Sequence, residues 1–191
     1  MPHASPLILP YRGILPRIAP TAFIAPGAVI IGDVDIGPET SVWFGCVIRG
    51  DVNKIRIGAR TNIQDGTIIH IASAEQPARM GPGAAPPPWQ GYPTIIGDDV
   101  TVGHMALLHA CTLATRAFVG MKAAVMDGAT IESEGMLAAG ALLTPGKTIR
   151  KGELWAGSPA KFWRNLSPED IAQFDLRARQ YAELGREYRT A

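Results

Sequence analysis

An aliphatic residue recurs every six positions along most of this chain. The series runs Ile18, Ile24, Ile30, Ile36, Val42, Ile48, then Ile57, Ile63, Ile69, then Ile96, Val102, Leu108. It ends with Leu113, Val119, Val125, Ile131, Leu137, Leu143 and Ile149. The step slips between Ile48 and Ile57, breaks between Ile69 and Ile96, and loses one residue between Leu108 and Leu113. A helix would repeat at about 3.6 residues and a half-buried strand at about 2, and neither period persists. A hexapeptide period predicts a parallel β-helix. Many repeats carry glycine directly after the aliphatic residue, as in Ile36-Gly37, Ile57-Gly58, Ile96-Gly97, Val102-Gly103 and Val119-Gly120.

The pattern resembles the left-handed β-helix family, in which three hexapeptides make one triangular coil with the aliphatic residue pointing inward. The resemblance implies coils 18/24/30, 36/42/48, 57/63/69, 96/102/108, 113/119/125 and 131/137/143, with Ile149 opening a further turn. One coil cannot bury its own apolar column, so coils must stack, about 4.8 Å apart as paired strands. The expected fold is all-β: a left-handed parallel β-helix of about six to seven coils over residues 11–164, followed by a C-terminal α-helix at 167–190 packed on the prism. In that helix Ser167 caps, Pro168 opens the first turn, and Glu169 and Asp170 suit the positive end. Ile171, Phe174, Ala178, Tyr181, Leu184 and Tyr188 form its predicted apolar stripe. A Pro- and Gly-rich stretch at 72–93 interrupts the repeat, excludes helix or central strand, and reads as a flap over whatever His70 does, with Trp89 and Tyr92 as apolar contacts.

At 191 residues the chain is one domain by length. A net charge of +1 gives no argument for nucleic acid or an anionic membrane, and no apolar run approaches the roughly 20 residues of a spanning helix. No secretory signal is visible at the N-terminus. Cys46 and Cys111 read as small buried residues rather than a disulfide, so a cytoplasmic location is expected.

The six-residue step also locates three histidines. His70 follows Ile69 and His109 follows Leu108, each the third aliphatic residue of its coil. With the 72–93 stretch looped out, the two stack at one corner about one strand spacing apart, a natural separation for two nitrogens on one metal. His104 lies two residues after Val102, one face earlier, and within one chain should not reach that metal. A closed three-fold assembly would bring it beside His70 and His109 of a neighbour. The spacing thus suggests an intersubunit site with three neutral imidazoles and one open position.

From about Pro20 to Arg164 the chain resembles the gamma class of carbonic anhydrases. The resemblance rests on Ser41-Val42-Trp43-Phe44, Val47-Ile48-Arg49-Gly50-Asp51-Val52, Thr61-Asn62-Ile63-Gln64-Asp65-Gly66, Val102-Gly103-His104 through Leu108-His109, and Ala156-Gly157-Ser158-Pro159-Ala160-Lys161. It implies zinc held in a homotrimer by His70 and His109 of one subunit and His104 of the next, hydrating carbon dioxide to bicarbonate. Iron or cobalt would also suit imidazole ligands. The resemblance further implies that Arg49 and Asp51 pair across the interface, that Gln64 bonds the metal-bound water or substrate, and that Asn62 and Asp65 belong to the same network. Two features depart from it. Val52 stands where the best-studied enzymes carry glutamate, and Gly50 through Ile55 is too short for their acidic, proton-shuttling loop; Glu75 in the flap is the substitute considered. Two other expectations stand beside it: a coenzyme A-dependent acyltransferase or thioesterase, and a non-enzymatic metal-binding scaffold.

Overall fold

The computed structural model describes residues 5–73 and 91–190. Trp89 and Glu75 of the expected flap lie outside them. The chain winds into a left-handed, hexapeptide-repeat β-helix of about seven turns with one C-terminal helix. Most hexapeptides contribute a short strand ending on the aliphatic residue, such as Asn62–Ile63, Thr101–Val102 and Phe118–Val119. Every series member from Ile30 to Ile149 is at most 4% exposed, whereas Ile18 and Ile24, at the open end of the stack, are half-buried. Parallel pairing starts ahead of residue 11, with Leu7–Leu9 against Val29–Ile31. At the far end the chain reverses into an antiparallel hairpin, Glu153–Gly157 with Ala160–Asn165.

The glycines after the aliphatic residues mark where one coil's backbone touches the next. A Cβ on Gly97 would lie 2.6 Å from the Thr115 amide nitrogen, and one on Gly103 2.6 Å from that of Met121. The corner between the polar face and the helix-covered face uses non-glycine residues at positive φ: Glu39, Arg60, Asp99, Arg116 and Glu134, at 52–64°. Left-handed backbone costs such residues about 1 kcal/mol each. Their charges alternate up the corner, with Arg60 on Asp99 at 2.7 Å and Arg116 on Glu134, which offsets part of that cost.

The prism's three faces differ in what they show outward. One carries Arg17, Asp35 and Arg56, then Ile95, Thr112, Thr130 and Thr148, and is largely polar. The second is covered by helix α1 (Pro168–Thr190), whose Phe174 stacks on Phe118 with ring centroids 5.1 Å apart and whose Tyr181 and Tyr188 meet Trp43 edge-on. The third carries an unbroken apolar column, Leu7, Val29, Val47, Ile68, Leu107, Ala124 and Leu142, in register from coil to coil. No described element of the chain covers that face; Ile68 is 47% and Leu107 37% exposed.

Helix α1 starts as the sequence predicts. The Asp170 amide donates to Ser167 Oγ at 3.2 Å and the Ser167 amide donates back to Asp170 Oδ2 at 2.8 Å, a reciprocal cap. Its buried stripe differs at the C-terminal end, where Ala182 and Gly185 face the prism and Leu184 points to solvent. The helix lies so close there that a Cβ on Gly185 would sit 3.3 Å from the Cβ atoms of Phe23 and Ser41, leaving no room for leucine.

Candidate metal centre

All three departures from the six-residue step fall at one corner, directly after the apolar face, in three successive coils. After Ile48, residues 51–54 bulge out opposite the single residue Asp33, because Gly32 pairs with Gly50 and Val34 with Ile55. The bulge brings Asp51 to the corner. The long interruption follows His70, and the missing residue follows His109. The breaks in the repeat therefore cluster at this corner, and one of them supplies Asp51.

His70 and His109 end the strands Ile68–His70 and Leu107–His109 and are direct partners in register. Nδ1 of His70 lies 3.2 Å from Nε2 of His109. Each ring's other nitrogen meets a carboxylate: Nε2 of His70 meets Asp51 Oδ1 at 3.0 Å, and Nδ1 of His109 meets Asp127 Oδ1 in a very short contact. Asp51 also accepts from Arg49 of the same chain. Burial raises the Asp51 carboxyl, but hydrogen bonds from His70 and Arg49 outweigh it and hold the group below its usual value. Burial lowers the His70 pKa, with Arg49 and His109 acting the same way against Asp51, so the ring is neutral near pH 7.

This arrangement fits a cation. A carboxylate accepts a hydrogen bond only from a ring N–H, which leaves the opposite nitrogen of a neutral imidazole with a bare lone pair. Two lone pairs aimed at each other across 3.2 Å repel unless positive charge lies between them. Two zinc–nitrogen bonds at a tetrahedral angle separate their nitrogens by about 3.3 Å. A carboxylate behind each ring is also the usual second layer of histidine metal sites.

His104 sits at the opposite corner of the apolar face, in the turn after Thr101–Val102. Its Nδ1 meets Asp65 Oδ2 at 2.8 Å, and both side chains are about half-exposed. No described contact joins it to the His70–His109 pair, and no group of three or more metal-binding side chains gathers within the described residues of one chain. Gln64 and Asn62 belong to the His104 corner. Gln64 Nε2 donates to Asn62 Oδ1 at 3.0 Å, and Asn62 Nδ2 donates to Thr101 Oγ1 at 2.9 Å. Gln64 and His104 open onto a cavity of about 310 Å³ between the prism and helix α1, walled by Phe118, Met121, Met136 and Tyr181. The sequence-predicted residues therefore divide into two half-sites: Arg49, Asp51, His70 and His109 at one corner, Asn62, Gln64, Asp65 and His104 at the other. Tyr92, at the end of the expected flap, lies against Gly128 near the first half-site.

Sequence reasoning missed Asp127. It lies two residues past Val125 in the coil after His109, one position beyond the column that holds the histidines.

The fold is a hexapeptide-repeat β-helix with paired imidazoles at one corner and a third histidine at another. The chain is 44% identical over 169 residues to Gamma carbonic anhydrase 1, mitochondrial, of Arabidopsis thaliana, covering 88% of this chain and 58% of that one. It is 42% identical over 183 residues to a carbonic anhydrase of Geobacillus kaustophilus, covering 96% of this chain and 91% of that one. Among solved structures, a hexapeptide transferase family protein from Anaplasma phagocytophilum superposes with a TM-score of 0.83 at 48% identity, covering 95% of this chain and 98% of that one. No protein-family model matches the chain. The chain belongs to the gamma carbonic anhydrase family. It spans less than two thirds of the length of the plant relative.

Proposed function

We propose that this protein is a metal-dependent carbonic anhydrase that hydrates carbon dioxide reversibly at intersubunit sites of a homotrimer. The observation that carries this reading is the His70–His109 pair, with carboxylates behind both rings and lone pairs converging across 3.2 Å. The third ligand is His104 of a neighbouring subunit. Support for that assembly comes from the uncovered apolar column, which lies between the two half-sites on the prism surface. Packing that face around a three-fold axis would hide its apolar side chains and set one subunit's His104 corner against the next subunit's His70 corner.

Zinc fits the three imidazoles, and a divalent cation held there supplies Lewis acidity that makes water a usable nucleophile near neutral pH. The chain's own residues then act separately. Phe118, Met121 and Met136 offer an apolar wall to carbon dioxide beside His104. The Gln64 amide, oriented by Asn62, presents its oxygen to the reacting water or to substrate. Arg49 neutralises Asp51, which keeps His70 in place; in the trimer Arg49 could instead reach a neighbour's Asp51, as the resemblance implies. Hydration releases one proton per bicarbonate. Val52, exposed on the bulge, cannot carry it. The two free thiols, Cys46 and Cys111, support a reducing compartment, the cytoplasm, although the plant relative is named mitochondrial. Among the described residues no helix is long and apolar enough to cross a membrane.

The test is metal content measured beside carbon dioxide hydration, aerobically and anaerobically. The wild-type protein is expected to bind about one divalent ion per chain and to hydrate carbon dioxide above a His109→Ala control. Fully metallated protein no faster than that control would overturn the activity. A second reading, acyl transfer or thioester hydrolysis with coenzyme A, draws on the cavity beside His104, which exceeds what carbon dioxide needs. Acyl-CoA turnover that survives chelation would favour it.

A further inference from the structure

We infer that Asp127 is a positioning residue that fixes which nitrogen of His109 faces the metal. The inference rests on the metal reading of the site. Asp127 reaches His109 from the next coil, 18 residues on. Its side chain is 15% exposed, and His109 is its only hydrogen-bond or ion-pair partner among the described residues. A largely buried carboxylate without a Lys or Arg partner is costly. Plain stacking of coils does not call for one, since its backbone already serves the corner through the Gly146 amide, which donates to the Asp127 carbonyl at 2.9 Å.

The chemistry of the contact explains its place. An ionised carboxylate is an acceptor only, so it holds the proton on Nδ1 of His109 and keeps Nε2 free, pointing at His70. Asp51 does the same for His70 from the other side, although there it is shared with Arg49. Asp127 is not shared. Asparagine at this position would keep the shape but could turn its amide and donate to Nδ1. The proton would then move to Nε2 and cover the lone pair that the metal needs, as happens when an aspartate orienting a catalytic histidine becomes an amide. Losing such an outer partner commonly weakens metal binding by about 10- to 100-fold.

The test compares wild-type protein with Asp127→Asn by competition for zinc with a chromophoric chelator, alongside thermal unfolding of both metal-free proteins. Asp127→Asn is expected to bind zinc about 10- to 100-fold more weakly while its metal-free form unfolds as wild type does. Nitrogen-15 spectra of the metal-free wild type should show His109 protonated on Nδ1. Equal zinc affinity in the two proteins would overturn the role of Asp127 and leave the metal reading intact. So would an Nε2-protonated His109 in wild type, a result that does not depend on how the variant folds. A wild-type protein that binds no zinc would overturn the metal reading and this inference with it.

Discussion

Cys46 and Cys111 illustrate how far burial alone sets residue chemistry here. Burial pushes the Cys46 thiol up to about 11 and the Cys111 thiol up to about 12, the latter helped by the Asp127 charge. Reactivity needs the thiolate. Folded protein at about pH 8 should therefore leave both thiols unmodified by a disulfide reagent, and denaturant should expose both to rapid reaction. Fast modification of either in the native state would contradict the packing described. The histidines were legible in the sequence for a different reason: each is tied to the six-residue count, so their corner follows from arithmetic. Asp127 was not, because it lies one position past the histidine column and reaches His109 across a coil boundary, whereas Asp65 and His104 each lie two residues past their aliphatic residue and stack in register. Gln64 is a further case. Its place beside His104 follows from the count, but its hold on Asn62 depends on rotamers. Replacing Gln64 with alanine is expected to lower kcat for hydration about tenfold or more with little change in metal content, as measured by stopped-flow and metal analysis.

Helix α1 shows both what an element's pattern reveals and what it hides. Its start was legible to the residue because capping is local: Ser167, Pro168 and Asp170 act within one turn. Its C-terminal contacts were not, because the depth to which a helix sinks onto a sheet depends on small residues at the interface, here Ala182 and Gly185. Phe174 anchors the helix on Phe118. Phe174→Ala should cost about 3 kcal/mol in urea unfolding, whereas Leu184→Ala, at an exposed site, should cost well under about 1 kcal/mol. The cap also predicts a pH dependence. Arg164, followed by the Ser167 amide, lowers Asp170 to about 2 in the folded chain. A carboxyl depressed by folding stabilises above its unfolded pKa near 4 and ceases to do so as pH falls through its folded value. The thermal stability gap between wild type and Asp170→Asn should be constant above about pH 4 and close toward about pH 2. A gap that stays open at the acid end would contradict the role of the cap.

At the scale of the molecule, the three faces of the prism serve different ends: one is wet, one is covered by α1, and one is apolar and uncovered. The coils were legible because each inward residue is separated from the next by six, and a solenoid's contacts are between neighbours. The outward column was harder to see, since Ala124 and Val47 in isolation read as ordinary strand residues and only their register makes a stripe. The breaks in the repeat were visible in the sequence, and the structure gathers all three at the His70–His109 corner. A charge on the column, as in Ile68→Glu with Leu107→Glu, should convert a trimer to monomers by light scattering and weaken zinc binding at the same time, although neither residue is a ligand.

The most direct measurement of an intersubunit metal site mixes two inactive variants. His104→Ala lacks one half-site and His70→Ala the other. Unfolded together and refolded, they form mixed rings in which each heterotrimer regains one complete site, so about a quarter of the wild-type zinc sites should return under random mixing. Proven mixed trimers that recover no zinc site would contradict the account.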